Sequence, residues 1–463
     1  MRIIRQGDRV FLVDTFVYVV CQNRARYHGT NSDSNTRMQG RIAMREVKKF
    51  VRQKLLARPR LRAQTTERNK SADVNLVVVS HEATLTGAPK IILRLLEEFA
   101  SLPQVFCRTL LHNGGALVDD FREHSDVYIL DTKRKSVPHV RRMIRKSIRS
   151  LDRSTPTVAL VNSAESRFIA ESLQDAGLPI VSLIHELPNS YVPEDFRLIE
   201  STSNQIVFPS QFVDQAAHAF VEIPRSKTRI MPQGLLDQDF GTRFDRAMAK
   251  RELASELGIS PDAKVVIGCG TIDLRKGVDH FARAAHALIK NHESQHDTHF
   301  IWLGGGPQHK HTPYHYVHMD LLRAGIEDRV HFLGERSNVE PYFMAADAAL
   351  MMSREDPFPC VVHEAMACGL PMITFADAGG APEALAEGAG IVVPYGDTHQ
   401  VAAELYRLTH EQGYYDQISQ RAIDRVRNHY DFRHYAAQIA ELLSREIGVE
   451  LSYEAGQSRR MAA

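Results

Sequence analysis

Two carboxylates, Asp356 and Glu364, stand with seven residues between them on either side of a proline-bounded loop, in the stretch SREDPFPCVVHEAMACGLP from Ser353 to Pro371. An ionised carboxylate accepts two hydrogen bonds at once, which suits the vicinal hydroxyls of a ribose at Glu364 and a sugar hydroxyl at Asp356. Pro357 and Pro359 exclude a helix through the loop, whereas Cys360 to Cys368 is helix-tolerant and is followed by Gly369 and Pro371, a stop signal. A short helix is therefore expected to begin near Cys360. Its first N–H groups lack intrahelical acceptors and carry the positive end of the dipole, so the turn made by Phe358, Cys360 and Val361 suits a phosphate. Together these features read as a clamp for a nucleotide sugar. The competing interpretation makes Asp356 a helix cap and Glu364 a solvated helix residue.

Other candidates for chemistry follow apolar runs. Val265 to Gly268 leads into a turn containing Gly270 and closing on Arg275-Lys276-Gly277, two adjacent cations of the kind a departing nucleoside diphosphate requires. His185-Glu186 ends the run PIVSLIHEL; a lone His after a strand is either a satisfied structural group or a site residue. Thr86-Gly87-Ala88-Pro89 puts a glycine before a helix, where backbone approaches a ligand closely or simply makes a tight turn. Trp302-Leu303-Gly304-Gly305-Gly306 is another such turn. His309, His311, His315 and His318 raise the question of zinc, but they lead into a surface helix. Asp237 and Asp239 imitate a metal-binding D-x-D, yet sit in a polar linker with no apolar strand before them.

The elements that must position these groups read as two α/β units. Short β-branched runs alternate with longer helical stretches from Ala72 onward, the pattern of a parallel sheet with crossover helices. A first series holds strands at Leu76–Ser80, Val105–Leu111, Val127–Leu130, Val158–Val161, Ile180–Ile184, Ile206–Phe208 and Arg229–Met231. A second holds Val265–Gly268, Phe300–Leu303, Val330–Leu333, Ala348–Met352, Met372–Phe375 and Ile391–Val393. The length of 463 residues, 43% hydrophobic and 24% charged, accommodates two ordinary domains and extra segments. A net charge of +1 gives no bulk attraction for nucleic acid. Five scattered cysteines without a C-x-x-C pair indicate neither a disulfide framework nor a zinc knuckle, and fit a reducing cytosol. Val10 to Cys21 contains Asp14 and is too short to span a bilayer. Two segments are rich in Arg and Lys, Arg41 to Lys70 and Lys133 to Arg153. Each has apolar residues at helical spacing, so each suits either a solvated helix docked on the body or an anionic membrane surface.

The ordered series of these motifs resembles the retaining family 4 glycosyltransferases of the GT-B fold. The resemblance runs from about Val74 to Ile447 and is densest between Gly268 and Asp397. Asp356 stands where that family usually has Glu, Thr271 where it often has Arg, and Pro232-Gln233-Gly234 where it commonly has Pro-Asn-Gly. The resemblance implies two doubly wound Rossmann-like domains facing across a cleft, with a basic N-terminal extension. The expected layout is an extension over 1–72, an acceptor-side domain over 73–235, a connection over 236–262, a nucleotide-sugar-binding domain over 263–430, a returning helix over 431–450 and a disordered tail over 451–463. It also implies a hexosyltransferase, free of metal and cofactor, that uses a UDP- or GDP-linked sugar and a glycan or lipid-linked acceptor. His185, Asp356, Lys276 and Arg275 would be catalytic, with Gly87, Gly270, Gly305, Phe358, Cys360, Val361 and Glu364 holding the nucleotide sugar. A cytoplasmic protein, peripheral at the membrane face, is expected. The alternatives are an epimerase of sugar nucleotides on the same fold and a noncatalytic binding module.

Overall fold

The apolar runs become two parallel sheets in a computed structural model that describes residues 2–6, 9–13, 72–291 and 297–453. The chain divides into units 1–65 and 66–463. In the first, Arg2–Gln6 pairs antiparallel with Arg9–Val13. The basic helical face expected between Arg41 and Lys70 lies outside the described residues.

In the second unit, one sheet has seven strands. Their spatial order is Asp126–Ile129, Val105–Leu111, Val74–Ser80, Thr157–Asn162, Ile180–Leu183, Gln205–Phe208 and Thr228–Ile230. Val74–Ser80 is buried along its whole length because both of its faces are covered. Val74, Leu76 and Val78 pack with the helix Gly87–Ala100, while the intervening Val77 and Val79 pack with Val140 and Ile144 of the helix Val137–Arg149. The strand is two residues longer than its apolar run because Asn75 is accommodated by a hydrogen bond from its side chain to Thr157 Oγ1 at 3.2 Å.

The other sheet has six strands, ordered Val330–Gly334, Thr298–Leu303, Lys264–Cys269, Ala348–Met351, Met372–Phe375 and Ile391–Val393. In both sheets the first strand in chain order is flanked by a strand on each side, so the strand order reverses beside it. The carboxyl edge at such a reversal is where ligands of open α/β sheets bind.

Two segments differ from expectation. The helix Arg246–Leu257, expected within a connection, belongs to the second domain. Ala249 and Leu253 enter its core and Lys250 pairs with Asp347 at 2.9 Å. Its mostly polar surface conceals that narrow buried stripe. At the end of the chain, the helix Phe432–Ile447 crosses back, and Phe432, Tyr435, Ile439 and Leu443 join the core of the first domain. Beyond it the tail expected from 451 does not begin as disorder. Leu451 is buried, and the Tyr453 hydroxyl donates to Glu98 Oε2 at 2.9 Å.

Candidate active site

The second-domain wall is built around the loop Ser353–Pro359. Asp356 N donates to Ala378 O at 2.8 Å, and its carbonyl accepts from Gly380 N at 3.2 Å, which ties the loop to the turn after Met372–Phe375. Gly379 makes this possible, because a Cβ there would lie 1.7 Å from Asp356 O. The Asp356 side chain is buried. Its Oδ2 forms an ion pair with Lys276 Nζ and accepts from Ser353 Oγ at 3.2 Å. Among the described residues Oδ1 has no protein partner, so it remains available to a sugar hydroxyl.

Lys276 reaches Asp356 because the preceding turn is clamped: Lys276 N donates to Asp273 Oδ1 at 2.7 Å. Gly277 has φ +71°, and a Cβ on it would come within 1.7 Å of Met352 O. Arg275 is exposed and donates to Glu355 O at 3.0 Å. The helix expected from Cys360 runs Cys360–Ala367. Its N-cap, Pro359, supplies no side-chain bond and its first turn has no acid, so the N-terminal N–H groups keep their positive potential for an anion. Burial pushes the Cys360 thiol up to about 12, so it is neutral. Burial also pushes the Glu364 carboxyl up to about 7, against the attraction of Lys90.

The first-domain wall comes from the carboxyl ends of its strands. The Asn162 amide donates through Nδ2 to Ala88 O at 3.1 Å, which turns Oδ1 toward His185 Nε2 at 2.8 Å. A carbonyl only accepts, so the amide orientation is fixed. His185 must therefore donate from Nε2, leaving Nδ1 as its acceptor. Burial holds the His185 imidazole below its ordinary range, with Glu186 opposing, so it is neutral near pH 7. Glu186 secures the turn by accepting from His185 N and Ala164 N, both at 3.0 Å.

The two walls enclose a cleft of about 440 Å³. Gly87 and His185 line it from the first domain, and Arg275, Lys276, Asp356, Cys360 and Val361 from the second. Two larger depressions, about 610 and 690 Å³, flank the helix Val137–Arg149 but contain no such convergence of acid, base and helix terminus. Three expected contacts sit differently. The Phe358 ring turns into the core between His363 and Tyr430, with centroids 4.9 and 6.0 Å away, so only its backbone faces the cleft. Gly270 and Gly305, both half-buried, are not among the residues lining this cavity: Gly270 O accepts from Trp302 Nε1 at 2.9 Å and Gly305 O from Ile272 N at 2.8 Å. Glu364, half-buried, stands one turn beyond the cleft-lining Cys360 and Val361. Tyr314 stacks on His318, and among the described residues no three His, Cys, Asp or Glu side chains converge as metal ligands.

Several residues that line or brace the cleft had no distinctive motif. Gln233, read only as part of a turn, is buried and crosses between domains, donating from Nε2 to Phe358 O at 2.9 Å. Asn189 Nδ2 donates across the cleft mouth to Glu355 Oε1 at 2.6 Å. Glu383 accepts from Gln211 N and Phe212 N at 2.9 and 2.7 Å, capping a first-domain helix from the second domain. Asn162, a polar residue closing the apolar run TVALVN, was the one with a usable signal.

Residues 263–411 match the family model described as glycosyl transferases group 1. Curated relatives include N-acetyl-alpha-D-glucosaminyl L-malate synthase of Bacillus anthracis, 26% identical over 266 residues, covering 56% of this chain and 66% of that one. D-inositol 3-phosphate glycosyltransferase of Actinosynnema mirum is 30% identical over 282 residues, 58% of this chain and 63% of that protein. The Corynebacterium glutamicum protein of the same name is 31% identical over 292 residues, 59% of this chain and 68% of that one. The chain thus spans just under two thirds of the length of the first two. Among solved structures, HepE of Anabaena, crystallised with UDP, is 19% identical with a TM-score of 0.67, over 81% of this chain and 100% of that one. WaaG, a glycosyltransferase involved in lipopolysaccharide biosynthesis, is 14% identical with a TM-score of 0.61, over 80% and 99%. At these identities what is shared is the fold, two Rossmann-like domains in the GT-B arrangement.

Proposed function

The chain belongs to the glycosyl transferases group 1 family, and we propose that it is a retaining hexosyltransferase. It would move a sugar from a UDP- or GDP-linked donor to a glycan or lipid-linked acceptor, without a metal. The observation that carries this is the convergence in one cleft of a buried Asp356–Lys276 pair, an uncapped helix N-terminus at Cys360 and a neutral, oriented His185. The binding of UDP by HepE supports the nucleotide half.

The work is electrostatic. As the bond from the anomeric carbon to the diphosphate oxygen breaks, its electron pair passes to the leaving phosphate. Lys276, Arg275 and the helix N-terminus are placed to stabilise that charge. The acceptor oxygen attacks from the same face and a phosphate oxygen takes its proton. Asp356 Oδ1 and His185 Nδ1 hold sugar hydroxyls, and Glu364 binds the ribose. A peripheral place on the cytoplasmic membrane face is part of the proposal. It is supported by the exposed Arg142, Arg145, Lys146 and Arg149 of the helix Val137–Arg149, and no helix among the described residues is long and apolar enough to cross a membrane.

The test is product analysis by NMR with UDP- and GDP-sugars, with and without glycan and lipid-linked acceptors. A new glycoside with the donor's anomeric configuration is expected. An altered donor sugar with no acceptor present would make the protein an epimerase, and an untouched donor throughout would leave a binding module.

A further inference from the structure

We propose that Lys90 is a third cation for the diphosphate, delivered to it from the opposite domain. This rests on the proposed nucleotide site and names a contact that no motif marks.

The second domain alone is poorly charged for its task. The Lys276 ammonium is compensated by Asp356, and the Arg275 guanidinium donates to a backbone carbonyl. Thr271, on the same turn, is exposed and uncharged. A nucleoside diphosphate bound there would meet one cation that no carboxylate compensates, Arg275, together with the helix N-terminus. Lys90 lies across the cleft, in the first turn of the helix Gly87–Ala100. Gly87 and Ala88 line the cleft, and a Cβ on Gly87 would sit 3.9 Å from Cys360 Sγ, the first residue of the clamp helix. Lys90 is three residues on from Gly87 and so shares its helix face, with a stem long enough to reach the same space. The side chain is exposed, and among the described residues no carboxylate pairs with it. Its charge is felt by groups of the other domain: it favours the ionised forms of Glu364, Cys360 and Cys269. These three mark the ribose end of the clamp, the start of its helix and the end of the strand Lys264–Cys269. An unpaired ammonium whose charge reaches all three, on the helix whose first residue lines the cleft, is within electrostatic range of the place assigned to the phosphates. Because it belongs to the first domain, it also gives bound nucleotide a grip on both walls.

The experiment is calorimetric titration of the full chain with UDP, GDP and ADP, the tightest being carried forward together with its nucleoside. Wild type, Lys90→Met, Lys90→Arg and Lys276→Ala are compared at about pH 8.5, above the value of about 7 to which burial raises the Glu364 carboxyl in wild type. One charge-assisted hydrogen bond corresponds to at least about a tenfold loss of diphosphate affinity in Lys90→Met. The nucleoside should bind that variant unchanged, Lys90→Arg should recover most of the loss, and about 0.5 M salt should narrow the difference. Lys90 is exposed, so its replacement leaves the fold intact. If Lys90→Met binds the diphosphate as wild type does while Lys276→Ala fails to, the inference is overturned and the site stands. Equal weakening of nucleoside and diphosphate would mean that Lys90 acts only through Glu364, which also overturns it. If no nucleotide binds wild type, or Lys276→Ala binds normally, the site assignment falls together with the inference.

Discussion

Acidifying the solution should release the nucleotide through Glu364. Burial raises this carboxyl from 4.5 to about 7, and Lys90 limits the rise. The ribose contact needs the ionised form, because only a carboxylate accepts from both hydroxyls. With a midpoint near 7, the ionised fraction falls from about 0.9 at pH 8 to about 0.1 at pH 6, so affinity should fall about tenfold across that window. The terminal phosphate of a nucleoside diphosphate has a second pKa of about 6 and adds its own slope. Glu364→Gln removes the protein's share and leaves the ligand's. Titration calorimetry of both proteins at pH 6, 7 and 8 therefore isolates it: the profiles should diverge at high pH and converge at low pH. A second signature follows from linkage. The folded protein holds the Glu364 proton more tightly than the unfolded chain, so its contribution to unliganded stability is present below about 4.5 and lost as pH rises through about 7. Glu364→Gln should thus unfold at a higher temperature than wild type at pH 8 yet bind nucleotide less well. Parallel pH profiles for the two proteins would refute the assignment of Glu364 to the ribose.

Asp356→Ala leaves the Lys276 ammonium free to meet phosphate, so nucleotide affinity should hold or rise while kcat falls about a hundredfold or more; steady-state kinetics beside calorimetry separates the two. Asn162→Leu removes both the acceptor that orients His185 and the donor to Ala88 O, and should lower kcat about tenfold or more with the donor KM little changed. Gly277→Ala places a Cβ 1.7 Å from Met352 O at φ +71°, which should cost about 2–3 kcal/mol in urea unfolding.

The sheets were legible because strands covered on both faces become uninterrupted apolar runs, as in VVVS at the end of Val74–Ser80 and FIWL in Thr298–Leu303. Pro357 and Pro359 marked the clamp helix by excluding every earlier start, and it begins at Cys360. What the residues did not disclose depends on three-dimensional neighbours. Phe358 faces inward because His363 and Tyr430, far apart in sequence, form a slot for its ring. Gln233 matters because its turn passes under the clamp loop of the other domain, a proximity no local pattern encodes. The same holds for the raised pKa of Glu364, set by burial, and for Glu383, whose cap is given to a helix of the other domain. The helix Arg246–Leu257 was misassigned because three buried residues on an otherwise polar helix make too narrow a stripe to show which core it joins.

The central claim is that this cleft binds a nucleotide sugar by its diphosphate, and thermal unfolding of wild type and Lys276→Ala with UDP-, GDP- and ADP-sugars tests it most directly. A ligand at a hundred times its dissociation constant stabilises by about 2.7 kcal/mol, a readable rise in Tm. One nucleotide class should raise the Tm of wild type and leave that of Lys276→Ala unmoved. No shift with any class, or the same shift in both proteins, would contradict the claim.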